Sequence, residues 1–177
     1  MKRIFFILLL CAAFFPGVSQ QLSGSNISTF TLEGKSDNYI FETNSMYSYV
    51  SFRPNGVAVR FRCKIATCKG LNAKADMLYE TLNYKTFQDF DFDGSVISNM
   101  RPKPGKPVRL LVNGKVRFGM KSVAAQIPVT ISSNGSKYSF SGDYEVNLPG
   151  IGFAIPAKYS NDLTGKLHVI FTDKPSL

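Results

Sequence analysis

The sequence contains no tryptophan, one histidine and three cysteines among its 177 residues. With His168 as its only histidine, the chain offers almost nothing from which to build a catalytic triad or a multi-histidine metal site. The alternation around it places His168 on the strand face opposite Leu167 and Val169, which is typical of a strand histidine without a chemical role. We therefore predict that the protein is not an enzyme.

The chain also has no apolar run of the about 20 residues that cross a bilayer as a helix. Its longest run, Ile4 to Phe15, follows Lys2 and Arg3 and precedes small residues, which is the order of a secretory signal. We predict a signal peptide over residues 1–20 and a mature domain over residues 21–177. The protein is then exported, either to a periplasm or as a secreted protein.

Two cysteines remain in the mature chain, Cys63 and Cys68. Along a straight strand their separation spans about 16 Å, beyond disulfide reach, so they can pair only if the chain turns between them. Cys63 shares the alternation of Phe61 and Ile65 and is expected in the core. The sequence leaves a disulfide open, and two cysteines without further ligands do not predict a metal site.

Basic residues outnumber acidic ones by 21 to 12. The densest basic group, Arg101, Lys103, Lys106 and Arg109, lies in a proline-rich loop. A solvated loop is the plain interpretation, and transient contact with an anionic membrane surface is the functional one. No aromatic residues interleave this group as a stacking platform would require, so we expect no nucleic-acid partner.

Alternating apolar and polar residues dominate the mature chain and predict an all-β fold. Turn signals such as Pro54-Asn-Gly56 and Asn134-Gly135 separate the strands. Eight or nine strands in one domain favour a closed antiparallel barrel. The predicted strands are Ser28–Leu32, Tyr39–Thr43, Met46–Arg53, Val57–Ile65, Phe87–Val96, Val108–Phe118, Ala125–Ser132, Lys137–Leu148 and Leu163–Thr172.

One short segment breaks this pattern. Leu71, Ala75, Leu78 and Leu82 recur on one helix face, with Asn72 as its cap, and predict a helix near residues 71–82. A single helix within an array of strands suggests a lid or plug, and hence a binding cavity.

Asp89, Asp91 and Asp93 match the opening of a calcium loop, but Phe90 and Phe92 alternate with them. The twelfth position of that loop would be a methionine, where a bidentate glutamate is required. The pattern therefore favours a strand with its carboxylates outward, and no metal site.

The order of several strand motifs resembles the YceI-like family over roughly Thr43 to Thr172. The chain departs from that family at Gly119–Val123, where members often carry H-G-V-T-K, and at Pro149–Gly152. The motifs that carry the resemblance are Phe61-Arg-Cys-Lys-Ile65, Met77-Leu-Tyr79-Glu, Asp91-Phe92-Asp-Gly94-Ser-Val96, Val112-Asn-Gly114-Lys-Val116-Arg-Phe118, Ile127-Pro-Val129-Thr-Ile131, Tyr144-Glu-Val146-Asn-Leu148 and Ile155-Pro156.

This resemblance implies a lipocalin-like β-barrel of about eight strands that binds or carries an amphiphilic isoprenoid-type lipid, such as a quinone or a polyprenyl lipid, in its lumen. No other cofactor is expected, and the oligomeric state is unknown. The alternative is a periplasmic stress-protection or interaction protein with a packed barrel and no ligand. Inward alternation predicts the ligand-binding residues Phe61, Phe90, Phe92, Leu110, Val112, Val116, Phe118, Tyr138, Phe140, Val169 and Phe171, with Leu78 and Tyr79 as a lid.

Overall fold

The alternating sequence folds into an almost entirely antiparallel β structure. The computed structural model describes the backbone of residues 19–22, 24–81, 89–152 and 154–175, and the side chains of residues 27–77, 89–152 and 154–172. The strands are β1 (Ser19–Leu22), β2 (Gly24–Gly34), β3 (Tyr39–Thr43), β4 (Met46–Arg53), β5 (Gly56–Lys64), β6 (Lys69–Gly70), β7 (Asp89–Val96), β8 (Val108–Phe118), β9 (Lys121–Ser133), β10 (Tyr138–Asn147) and β11 (Leu163–Pro175). One helix, α1 (Ala73–Thr81), and three 3-10 turns at Ile65–Thr67, Pro149–Ile151 and Ala157–Tyr159 complete the described elements.

All eleven strands belong to one sheet, in the order β1-β4-β5-β7-β8-β9-β10-β11-β2-β3-β6. The sheet curls into a half-barrel, which confirms the predicted all-β, barrel-like fold, whereas the predicted closure of the barrel is not seen in the described backbone. Its two arms approach each other at β2 and β4, where Ser28 Oγ lies 3.0 Å from Met46 Sδ. Within the backbone that is described, β1 and β6 form the two ends of the hydrogen-bonded order.

The predicted strands agree closely with the observed ones. Three of them, β3, β4 and β8, have the predicted bounds. Neither β1 nor β6 was predicted. Strand β1 begins at Ser19 and pairs with β4, so it includes the last two residues of the predicted signal peptide. The cleavage site itself stays a prediction.

The core lies between the arms of the curled sheet. Phe90 and Phe92 of β7 point inward and are fully buried. The Phe92 ring rests on the backbone of two glycines that face each other across β7 and β8, Gly94 and Gly114. A Cβ at Gly94 would lie 2.5 Å from the Phe92 ring, and one at Gly114 would lie 2.7 Å from it. The two glycines therefore make room for the ring.

Helix α1 begins as the sequence predicts, because Asn72 Oδ1 accepts a hydrogen bond of 2.7 Å from the Ala75 N–H. Ala75 is buried. Leu71 was predicted on the same helix face as Ala75, and this is wrong: it precedes the helix, its N–H donates to Ile40 O at 2.8 Å, and its side chain is exposed. The side chains of Leu78 and Tyr79 and all of Leu82 lie outside the described residues, so the predicted lid stays a prediction.

Candidate functional site

Aromatic rings fill the centre of the described core. Phe61 lies at the middle of this group, with ring centroids 4.3 Å from Phe171, 5.5 Å from Phe92, 6.0 Å from Tyr144 and 6.3 Å from Phe90. Tilted and offset rings at these separations attract one another beyond the effect of burial. This part of the lumen is therefore packed by its own side chains.

Most of the predicted ligand-binding residues are found in this core, although their contact with a ligand stays a prediction. Phe118 is half-buried, 5.8 Å from Phe90, and Tyr138 is half-buried against Phe52 at 4.8 Å. Leu78 and Tyr79 lie outside the described side chains. The buried members are Phe61, Phe90, Phe92, Leu110, Val112, Val116, Phe140, Val169 and Phe171.

The sheet opens between β9 and β10. These strands pair only from Ser133 opposite Tyr138 to Val129 opposite Gly142. Beyond that point β9 continues along β8, and β10 continues along β11. Pairing ends next to Pro128, which has no N–H to contribute to a ladder. We call the unpaired region between residues 123–128 and residues 143–147 the β9–β10 split.

A cavity of about 370 Å³ occupies this split. That volume falls within the range of about 300–1,000 Å³ typical of small-molecule sites. The 3-10 turn at Pro149–Ile151 packs beside it against β9, and Gln126, Glu145 and Asn147 contribute polar groups. Its apolar lining includes Val116, Val123, Ala125, Val146 and Ile151. The split is therefore a place where an apolar chain can lie against the core.

Tyr144 joins this cavity to the aromatic core. It lines the cavity, is 7% exposed, and has a buried hydroxyl without a hydrogen-bond partner. Burial raises the pKa of this hydroxyl well above its usual range, so it stays protonated. Tyr144 was not predicted as a site residue, although it shares the inward alternation of Phe140 on β10.

The outer face of β5, β7 and β8 carries alternating charges. Asp91 accepts hydrogen bonds from Arg117 Nη2 at 2.5 Å and Nε at 3.0 Å, and Arg62 Nε lies 3.6 Å away. Asp93 pairs with Arg60. The strand interpretation of the aspartates is confirmed by β7. However, Asp91 is not an open outward carboxylate, because it is only 6% exposed beside these guanidinium groups.

Cys63 and Cys68 are both buried free thiols. Burial raises the pKa of Cys63 well above its usual range and that of Cys68 to about 12. Both are therefore neutral near pH 7. Cys63 occupies the core position predicted from its alternation.

The basic loop lies at the end of the sheet opposite the β9–β10 split. Lys103 and Lys106 exchange backbone hydrogen bonds in a tight turn, and both are exposed together with Arg109. Arg101 is held differently: its guanidinium donates to the Met100 carbonyl at 2.9 Å and lies 5.0 Å from the centre of the Phe52 ring. Three of the four residues are thus free to face a charged surface.

Catalytic and metal-binding constellations are not evident in the described residues. His168 is exposed and pairs with Asp143 on the outside of the sheet. Within the described ranges there is no group of three metal-ligating side chains. The helix that is described is too short to cross a bilayer.

No protein-family model and no curated protein matches the chain. Solved structures do match it. The crystal structure of Burkholderia cenocepacia BcnA aligns with a TM-score of 0.60 at 18% identity, over 82% of this chain and 94% of that one. A polyisoprenoid binding domain from Saccharophagus degradans, implicated in plant cell wall breakdown, aligns with a TM-score of 0.66 at 8% identity, over 88% of this chain and 96% of that one.

Both structures are YceI-like proteins. At these identities the likeness establishes the fold. The chain therefore has the YceI-like fold, which confirms at that level the resemblance predicted from its sequence.

Proposed function

We propose that this protein belongs to the YceI-like family and is an exported, non-enzymatic binding or carrier protein for an amphiphilic isoprenoid-type lipid. The observation that carries the proposal is the apolar cavity in the β9–β10 split, which adjoins the aromatic core of a barrel-like sheet. One structure with this fold is described as a polyisoprenoid binding domain.

The cavity offers apolar contacts to a flexible hydrocarbon chain. Burying a CH₂ group contributes about 0.8 kcal/mol, so a five-carbon isoprene unit contributes up to about 4 kcal/mol before ordering costs. A few buried units therefore suffice for tight binding without a charged contact. Phe61 and Phe90 pack behind the cavity and support its inner wall through their contacts with Tyr144.

The packed centre of the core favours a second candidate function. If the rings around Phe61 leave no room for a chain, the protein is a stress-protection or interaction protein without a physiological ligand. Eight-stranded barrels are often filled by their own side chains. The two candidates differ in whether lipid accompanies the protein.

Native mass spectrometry of protein purified from its own exported compartment tests this difference. A carrier is expected to co-purify with a lipid of isoprenoid mass, which organic extraction removes. The packed-barrel alternative predicts the mass of the polypeptide alone, with no thermal stabilisation on adding geranylgeraniol. That pair of results would overturn the carrier proposal.

A variant in the split locates the bound lipid. Ala125→Leu introduces a larger side chain into the lining of the cavity and is expected to weaken binding of geranylgeraniol about ten-fold or more. Ala66→Leu adds the same bulk at an exposed position in the 3-10 turn Ile65–Thr67 and serves as the matched control. Equal affinity of the two variants would place the lipid elsewhere.

Contact with a membrane surface is a further part of the proposal. The exposed Lys103, Lys106 and Arg109 would be attracted to anionic headgroups by about 1 kcal/mol per basic residue. Lys106→Glu is expected to reduce co-sedimentation with vesicles containing phosphatidylglycerol. Lys69→Glu, on the short strand β6, is the matched control, and equal loss in both variants would show a general charge effect.

A further inference from the structure

Two large apolar side chains project from the loop that joins β7 to β8. Ile97 is 91% exposed and Met100 is 51% exposed. Isoleucine is among the residue types most often buried, so an isoleucine with almost all of its surface in water is unusual. Ile97 also borders a shallow groove of about 370 Å³ that Pro54 and Val96 help to line. Its side chain therefore continues an apolar surface at this end of the sheet.

The loop is anchored to the strands around it. The Arg101 guanidinium donates to the Met100 carbonyl at 2.9 Å and to the Arg53 carbonyl at the end of β4. Pro104 forms an isolated β-bridge with Ser133 at the end of β9. Because these contacts fix the loop before any partner arrives, covering its apolar side chains costs little ordering entropy.

The charge of the strands beside the loop is positive. The loop, β8 and β9 lie within residues 94–142, the β4–β5 hairpin lies within residues 43–75, and neither range contains Asp or Glu. Lys103 and Lys106 are exposed on the loop itself, and Arg53 is exposed on the hairpin. This end of the sheet is therefore complementary to an anionic surface.

A bilayer fits this combination of side chains better than a protein partner does. Lysine is depleted at protein–protein interfaces. At a membrane, apolar side chains enter the boundary between headgroups and acyl chains, while nearby Lys and Arg side chains reach the anionic headgroups. Exposed Ile97 and Met100, with Lys103 and Lys106 in the same loop, match the arrangement at a membrane.

We propose that Ile97 and Met100 insert into the interfacial layer of an anionic bilayer and dock the protein with this end of the sheet toward the membrane. This inference rests on the proposed membrane contact of the basic loop. It adds the side chains that enter the bilayer and the orientation of the sheet. The β9–β10 split, at the opposite end, then lies on the aqueous side.

A single introduced tryptophan tests the orientation, because the chain contains no other. Met100→Trp is compared with Met120→Trp, which changes a 99% exposed methionine in the β8–β9 turn at the opposite end of the sheet. On adding vesicles of phosphatidylcholine and phosphatidylglycerol, only Met100→Trp is expected to shift its fluorescence to shorter wavelength and to gain protection from acrylamide. Equal shifts in both variants, or none in either, would overturn the orientation.

Ile97→Ser tests the apolar contribution by co-sedimentation with the same vesicles. The variant is expected to partition about five- to ten-fold more weakly than the wild type. Ile170→Ser, at a 43% exposed position on β11, is the matched control and is expected to bind as the wild type does. Equal affinities of the two variants would overturn the role of Ile97.

Salt separates this inference from the contact by charge alone. At 1 M salt, charges are screened within about 3 Å, so the fraction of wild-type protein that stays bound reports apolar insertion. Complete release at 1 M salt would overturn the insertion, while the contact of the basic loop stands. If the wild type does not bind these vesicles even at low salt, the proposed membrane contact itself fails.

A second copy of the chain is the competing occupant of this loop. It would shift the fluorescence of Met100→Trp without vesicles, in proportion to protein concentration. That result would assign the apolar side chains to self-association and overturn their insertion into a bilayer.

Discussion

Phe92→Ala removes the ring that rests on the paired glycines of β7 and β8. Phe92 is fully buried, with its ring centroid 5.5 Å from that of Phe61. Gly94 and Gly114 carry no side chains that could move into the vacated space. Because the surroundings can collapse only from one side, the substitution is expected to cost toward the upper end of the usual range, about 3–5 kcal/mol of the free energy of unfolding.

Guanidinium chloride titration, followed by circular dichroism, measures this loss. Phe118→Ala is the matched control on the neighbouring strand, where the ring is half-buried. Its cost is expected to be about half as large, because the hydrophobic contribution follows the area removed from water. A loss below about 1.5 kcal/mol for Phe92→Ala would refute the argument that the glycines prevent collapse.

The same titration with added geranylgeraniol connects the core to the proposed function. Phe92 lies opposite Val116 in the strand register, and Val116 also lines the β9–β10 split. A bound chain that extends into the vacated space would reduce the cost of Phe92→Ala. Equal costs with and without the lipid, and no stabilisation of the wild type, would favour the packed barrel.

Three further predictions concern stability. Gly114→Ala places a Cβ 2.4 and 2.6 Å from backbone atoms of β7, and it is expected to lower the free energy of unfolding by about 1–3 kcal/mol in denaturant titrations. Gly150→Ala is the control: the nearest neighbour of its Cβ lies at 3.6 Å, so its free energy of unfolding should stay within about 0.5 kcal/mol of the wild type. Burial raises the pKa of Cys68 to about 12, and the stability that this gives is fully present below about pH 9 and lost as pH rises toward 12. Between these pH values, Cys68→Ala should lessen the fall in the free energy of unfolding by about 1.4 kcal/mol per pH unit. Equal slopes of the free energy of unfolding against pH in the wild type and the variant would contradict this. Asp91→Asn should lower the free energy of unfolding by about 1–2 kcal/mol and exposed Asp93→Asn by less than about 0.5 kcal/mol; similar values would show that the burial of Asp91 has no energetic effect.

Strict alternation made most of the strands predictable. β4 and β5 are joined at Pro54-Asn-Gly56, where the turn residues and the change of alternation mark both bounds. The predicted start of β9 lies four residues after its observed start at Lys121. These four residues were missed because residues 121–124 are all exposed and show no alternation. The two-residue β6 is too short for any periodic signal.

The candidate site depends on strand register, which the sequence pattern does not specify. The burial of Asp91 requires Arg62 and Arg117 to lie on either side of it, and these residues come from different strands. The β9–β10 split likewise arises from where pairing stops, near Pro128. Tyr144 was accessible to sequence reasoning through its alternation, but its unpartnered hydroxyl became apparent only from its surroundings.

The position of β11 between β10 and β2 has a consequence for folding. It joins segments far apart in the chain, as the hydrogen bond of Thr164 Oγ1 to Glu33 O across 131 residues illustrates. Most other neighbours in the sheet, from β4 to β11, follow one another along the chain, so the β11–β2 pair is the long-range step that joins β2 and β3 to them. At about 5–20 residues per second, synthesis takes on the order of ten seconds to reach β11. During that interval β2 and β10 lack their shared neighbour, so β2 and β3 cannot join the strands from β4 to β10 through it, and a chain that ends before Leu163 is not expected to complete the sheet.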